Sequence, residues 1–159
     1  NFGGHTYAAG LSLKEENLDA FTQRFLKLAA DEIIPEQMTP QIDIDAVLDL
    51  QDINAKFMSE LKKMNPFGPD NQKPVFCSLG VKDYGTSKLV GKDLEHIKLE
   101  LIDDKSNTPI HGIAFGMHQH NTHIKNMKPF NICYTIEENT YNGNTSLQLM
   151  VKDIKENDI

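Results

Sequence analysis

Three groups of residues in this chain are of types that bind or transform ligands, and their spacing narrows what each can do. Gly3-Gly4-His5 is the first. Adjacent glycines let a backbone approach a ligand closely and aim its N–H groups at an anion. His5 directly behind them can donate to a phosphate oxygen or a base edge. A plain turn explains the same triplet, so spacing alone leaves both readings open. The second group is Lys82, Lys88, Lys92 and Lys98, with Lys125 and Lys128 further on. Lys88 and Lys98 alternate with apolar neighbours and are expected to face solvent. Such a row can hold a phosphodiester backbone, or it can simply keep a surface soluble. His118, His120 and His123 form the third group. No cysteine or carboxylate lies near them in sequence and their spacing fits no defined metal motif, so a solvated loop is expected.

Strands and helices must position these groups. Phe130, Ile132, Tyr134 and Ile136 alternate with polar partners, as do Leu147, Leu149 and Val151. Asn142-Gly143 between the runs supplies residues that tolerate positive φ, so the pair reads as a hairpin. A hairpin alone is marginal in water, and further strands are expected from Pro74, Lys88, His96 and Ile110 onward. Asn65 to Pro74 carries three prolines and one glycine, which predicts a fixed, extended crossing with Phe67 as an anchor and a domain boundary at 65/66.

Residues 1–65 read as strand, helix, strand, helix. Ser12-Leu-Lys-Glu15 is a capping-box pattern, and Leu18, Phe21, Phe25, Leu28 and Ala29 form an apolar stripe expected in the core. Pro35 ends that helix near Ile34. Gln41 to Asp45 alternates as a short strand. Asp43, Asp45, Asp49 and Asp52 resemble a metal set, but alternation explains the first two and capping of a second helix explains Asp52, so no metal is expected there. Ile53, Phe57, Met58, Leu61 and Met64 form that helix's apolar side.

With 159 residues, 39% hydrophobic and 25% charged, the composition is that of an ordinary globular chain. No apolar run reaches the length of a membrane span, and no membrane partner is expected. Cys77 and Cys133 lie inside predicted strands and read as reduced thiols of a cytoplasmic protein. The chain begins at Asn1 without a Met, which reads as a piece of a longer polypeptide. A net charge of −7 counts against a nucleic-acid binder. Its distribution softens that objection: residues 1–65 hold six basic and eleven acidic side chains, residues 66–159 ten and twelve.

Taken in order, several stretches resemble the C-terminal part of the RecJ exonucleases of the DHH phosphoesterase superfamily. They are Gly3-Gly4-His5 with Ala8-Ala9-Gly10-Leu11, Pro66-Phe67-Gly68 through Pro74-Val75-Phe76, and Val90-Gly91 followed by His96-Ile97-Lys98-Leu99. Ile113-Ala114-Phe115, Asn139 to Gly143 and Leu147-Gln148-Leu149 complete the set. The resemblance spans nearly the whole chain. It implies an α+β piece of a DHHA1 substrate-binding domain with its connecting helix over 1–65, joined to an all-β, five-stranded OB-fold barrel over 66–159. It implies the DNA-gripping end of a 5′-to-3′ single-strand exonuclease of DNA repair and recombination. Single-stranded DNA is then the partner, with a repair protein such as a single-strand-binding protein as a second one. Gly3, Gly4, His5, Lys82, Lys88, Lys92 and Lys98 become the substrate-binding candidates. The Asp-His-His motif and the carboxylates that hold manganese or magnesium in the family lie upstream of the resembling part. No catalytic residue, metal or cofactor is therefore assigned to this chain, and it is expected to be inactive alone. Asp70-Asn71-Gln72 stands where the family has glycine, asparagine and proline, so the loop is expected to differ. Two other readings stay open: an OB module for a protein partner, which the acidity favours, and a DHH phosphodiesterase acting on short RNA or cyclic dinucleotides.

Overall fold

A missing side chain shapes the first element. Strand β1 (Phe2–His5) pairs antiparallel with β2 (Ala8–Leu11). A Cβ at Gly4 would stand 2.9 Å from the Ala8 carbonyl oxygen and from Ala9, a distance real side chains do not tolerate, so only glycine fits. The Ser12 N–H continues the hairpin by donating to the Asn1 carbonyl. Helix α1 (Leu18–Glu32) therefore starts later than the capping box predicts, behind a 3-10 turn at Glu15–Asn17, and no side chain caps it. Its expected core stripe is not buried: Leu18, Phe21, Phe25 and Leu28 are all exposed. One short hairpin and one helix offer too little surface to enclose it. The structure is a computed structural model that describes residues 1–106, 108–141 and 143–157. The chain forms two compact units, Asn1–Gln41 and Ile42–Ile159.

The larger unit is built on alternation. Its strands are β3 (Ala46–Val47), β4 (Phe76–Asp83), β5 (Lys88–Val90), β6 (His96–Ile102), β7 (Ile110–Ala114), β8 (Phe130–Tyr141) and β9 (Asn144–Glu156). They form one sheet in the order β3-β4-β8-β9-β7-β6-β5, and β4 also pairs with β6. The strands β4, β8, β9, β7 and β6 thus close a circuit, with β3 and β5 added to it. Along β6, Ile97, Leu99 and Leu101 are fully buried while Lys98 between them is exposed. Phe130, Ile132, Tyr134 and Ile136 of β8 and Leu149 of β9 meet them in the core. The Tyr134 hydroxyl lies 2.7 Å from Ser78 Oγ, which itself donates to the Leu48 carbonyl. Gly143 adopts φ +80° at the hairpin turn, as expected, and Asn142 lies outside the described residues.

The unit boundary falls upstream of the 65/66 boundary expected from the prolines. Two contacts explain this. Ala46 and Val47 pair in parallel with Phe76 and Cys77, and the second helix, α2 (Ala55–Lys62), packs Phe57 edge-on against Phe76, with centroids 5.5 Å apart. Ile53 and Leu61 are buried in the same core, while Met64 is exposed. The strand expected over Gln41–Asp45 is absent, because pairing with β4 begins only at Ala46. Asn54, and not Asp52, caps α2: its side chain accepts from the Lys56 and Phe57 N–H groups. Asn71 fixes the loop before β4 by donating to the Met64 and Pro66 carbonyls. No helix among the described residues is long and apolar enough to cross a membrane.

Cys77 and Cys133 stand directly opposite each other on β4 and β8. Burial pushes the Cys133 thiol up to about 11 from its usual 9.0, helped by Cys77 beside it. A thiol with a raised folded pKa stays protonated after its unfolded counterpart has ionised, so folding loses stability as pH climbs between those values. Denaturation midpoints are expected to fall from pH 9 to 11, and Cys133→Ser is expected to flatten that decline. An unchanged slope in the variant would contradict this assignment.

Candidate functional site

Lys88 and Lys98 face each other. Strand β5 pairs antiparallel with β6 so that Lys88 lies opposite Lys98, Leu89 opposite Ile97 and Val90 opposite His96. Like charges directly opposite across two strands repel. Both ammonium groups are exposed, and among the described residues the lysine ion pairs involve other lysines: Lys62, Lys63, Lys73, Lys82, Lys105, Lys125 and Lys14. The nearest acidic strand residue, Glu100, is engaged elsewhere. Thr86 Oγ1 donates to its Oε2, and His111 Nδ1 lies 3.5 Å from its Oε1. Across the sheet Lys98 is opposite Ile113 of β7, which neighbours Met150 of β9. A cationic edge thus runs into a half-buried apolar strip.

A buried carboxylate positions this edge. Asp83, at the end of β4, is 1% exposed. Its Oδ1 accepts from the Ser87 N–H at 3.1 Å and the Ser87 hydroxyl at 2.6 Å. The Ser87 oxygen in turn accepts from the Glu100 N–H at 2.9 Å. The residue before Lys88 is thereby tied to both β4 and β6. On the other side of β5, Gly91 adopts φ +97° and a Cβ there would meet the Glu95 carboxylate at 2.6 Å. Glu95 is held below the usual carboxylate range, first by its own backbone N–H and then by the Asp93 N–H, His96 and His118. Lys92 projects from this loop, exposed.

The remaining candidates fare differently. Lys82 lies on the β4–β6 pairing and is spent on Asp104 at 3.1 Å. Lys125 sits 3.7 Å from Asp83, and Lys128 is exposed. Gly3, Gly4 and His5 belong to the smaller unit. Neither glycine has positive φ, so they form no cupped row of N–H groups. His5 Nδ1 accepts from the Tyr7 N–H at 3.3 Å. The histidine loop is not simply solvated: it folds into a 3-10 turn and a short helix, α3 (Asn121–Lys125). His120 and His123 both grip Glu156, at 2.7 and 3.1 Å, a contact invisible in sequence because that carboxylate arrives from β9. Asp45 accepts from the Val75 N–H and Asp49 holds Lys105. No group of three or more metal-type side chains converges among the described residues. Of the aromatic side chains that could stack on a nucleobase, Tyr134 is buried and Phe67 packs on the core, while Tyr84 and Phe115 are exposed. The Tyr141 side chain lies outside the described residues.

Comparison with known proteins points one way. The model of a family described as the RecJ OB domain matches residues 44–153. Single-stranded-DNA-specific exonuclease RecJ of Haemophilus influenzae is 29% identical over 154 residues, covering 97% of this chain and 26% of that protein. The protein of the same name from Bacillus subtilis is 28% identical, covering 96% of this chain and 19% of its own length. Among solved structures, RecJ of Thermus thermophilus in complex with Mn2+ superposes with a TM-score of 0.76 at 19% identity, covering 100% of this chain and 22% of that one. A second structure of that protein holds Mg2+, with a TM-score of 0.75. The chain spans about a quarter or less of the length of these relatives.

The lysine geometry makes a stability prediction. Lys88→Glu replaces a repulsive cross-strand pair with an attractive one and is expected to stabilise the fold by about 0.2–1 kcal/mol. Lys82→Glu, which breaks the pair with Asp104, is expected to do the reverse. Thermal melts of both variants check this; a destabilised Lys88→Glu would show that the two lysines do not repel.

Proposed function

This chain belongs to the RecJ OB domain family, and from that membership we propose that its larger unit grips the substrate of a single-stranded-DNA-specific exonuclease. The observation that carries the reading is Lys88 opposite Lys98, exposed and without counter-charge among the described residues. A phosphodiester laid between two such groups relieves their repulsion and releases condensed counterions, which is the main source of affinity for nucleic-acid backbones. The circuit of β4, β6, β7, β8 and β9 is read as a five-stranded OB barrel. In such barrels the second and third strands, here β6 and β7, form the oligonucleotide face. That face is where Lys98 and Ile113 sit. Lys92 extends it at the loop, and Lys82 contributes little while it holds Asp104.

Residues 1–41 are read as the end of a DHHA1-like substrate domain, with His5 reaching a substrate phosphate and Gly4 serving the hairpin. The whole enzyme is proposed to hydrolyse DNA from 5′ to 3′ in repair and recombination, in the cytoplasm, with a single-strand-binding protein as a further partner. Manganese or magnesium would supply a polarised phosphoryl oxygen and an activated water in such hydrolysis. Among the described residues no group of side chains converges to hold such ions.

Titrating a labelled single-stranded oligonucleotide at several salt concentrations tests the reading. Binding is expected to be micromolar or weaker, as for a non-specific electrostatic contact, with log K falling linearly against log salt. Losing two phosphate contacts in Lys88→Gln/Lys98→Gln should flatten the slope by about 1.4, with a far smaller change for Lys82→Gln. No binding at low salt, or a double variant that binds like the parent, would favour a protein partner for this surface.

A further inference from the structure

Phe115 keeps 54% of its surface in water although it directly follows a strand of the core sheet. The exposure comes with a built support. The His96 ring meets the Phe115 ring at 79° with centroids 4.9 Å apart. His96 is itself pinned at both nitrogens: Nδ1 accepts from the Gly116 N–H at 3.0 Å, and Nε2 lies 3.3 Å from Glu95 Oε1. The aromatic ring is therefore held in place before any ligand arrives, which lowers the ordering cost of binding. We propose that Phe115, buttressed by His96, is a base-stacking position, so that the β6–β7 face takes a nucleobase as well as the sugar–phosphate backbone.

The placement suits this role. Strand period two puts Phe115 on the side of Ile113, which is opposite Lys98, which is opposite Lys88. Two residues along a strand are roughly 7 Å, so a base on Phe115 leaves its neighbouring phosphate within reach of the flexible lysines. Glu95, ionised beside His96, repels phosphate from the immediate surroundings of the ring. An uncharged base fits there, and the charge goes to Lys88 and Lys98. Stacking on an aromatic face is tolerant of sequence because every base offers a π-face. The inference rests on the strand-binding reading, and its test separates the two.

The chain contains no Trp and four Tyr, so Phe115→Trp places the only indole, excited selectively at the red edge of its absorption, at the position in question. The probes are a thymidine oligomer and an abasic oligomer of equal length, at low salt. The base-bearing strand is expected to quench the reporter and the abasic strand to leave it bright while still binding. Phe115→Ala is expected to weaken the base-bearing strand by about tenfold or more and the abasic strand hardly at all. Phe115→Leu, which keeps apolar bulk without a ring, should behave like the alanine variant with an unchanged melting temperature. Equal losses for both strands, or an unquenched reporter on the base-bearing strand once it is bound, would overturn stacking and leave backbone binding standing. If the parent chain bound neither strand, the strand-binding reading would fall and this inference with it.

Discussion

The short chain of hydrogen bonds from Asp83 through Ser87 to Glu100 is what the candidate surface depends on. A carboxylate taken out of water is costly unless its oxygens are satisfied. Asp83 Oδ1 meets that demand by binding the residue that precedes β5, while Oδ2 has no hydrogen-bond partner among the described residues and only the Lys125 ammonium, at 3.7 Å, beside it. The same stretch of β4 pairs with β6 through Lys82 and Asp83, opposite Ile102 and Leu101. Closure of the strand circuit and placement of Lys88 are therefore one event. Were Ser87 free, β5 would have only three residues of pairing to fix its register, and the opposition of Lys88 and Lys98 would be loose.

Electrostatics then sorts the lysines. The chain is acidic overall, and most lysines of the larger unit that approach a carboxylate are neutralised by one: Lys62 by Glu138, Lys73 by Glu137, Lys82 by Asp104, Lys105 by Asp49. For Lys105 the hydrogen bond with Asp49 also pushes the ammonium pKa up. What distinguishes Lys88 and Lys98 is their direct opposition across two strands, with no ion pair for either among the described residues. Net charge over a whole domain is thus a poor guide to where an anion would sit, since it averages committed and uncommitted groups.

Much of this was legible in the sequence, and the failures have causes. His96–Ile102 alternates as far as Leu101 and is a strand at those bounds, because Ile97, Leu99 and Leu101 each have a buried place waiting. The hairpin was legible from its Asn-Gly turn, though β8 runs on to Tyr141 through polar residues that cross-strand pairing, not burial, holds. Gln41–Asp45 alternates equally well and is no strand, because alternation offers a face but cannot supply a partner. Ser12 lost its capping role to the hairpin, and Asp52 lost its own to Asn54, a better-placed side chain two residues on. The Lys88–Lys98 opposition could not be read, since its register runs through a loop in which Leu94 adopts φ +56°, a conformation that no residue type there announces. The Glu156 clamp on His120 and His123, and the support of Phe115 by His96, are likewise contacts between distant parts of the chain.

The central claim is that nucleic acid lies across β5, β6 and β7. Following backbone amide resonances of the isotope-labelled chain by NMR during titration with a single-stranded oligonucleotide tests it most directly. The account predicts that the largest shifts fall on Lys88–Val90, Lys92, His96–Lys98, Ile113 and Phe115–Gly116, with α2 and the Glu137–Glu138 side of β8 nearly still. Shifts concentrated on α2 and β8, with β5 and β6 unmoved at saturation, would contradict it.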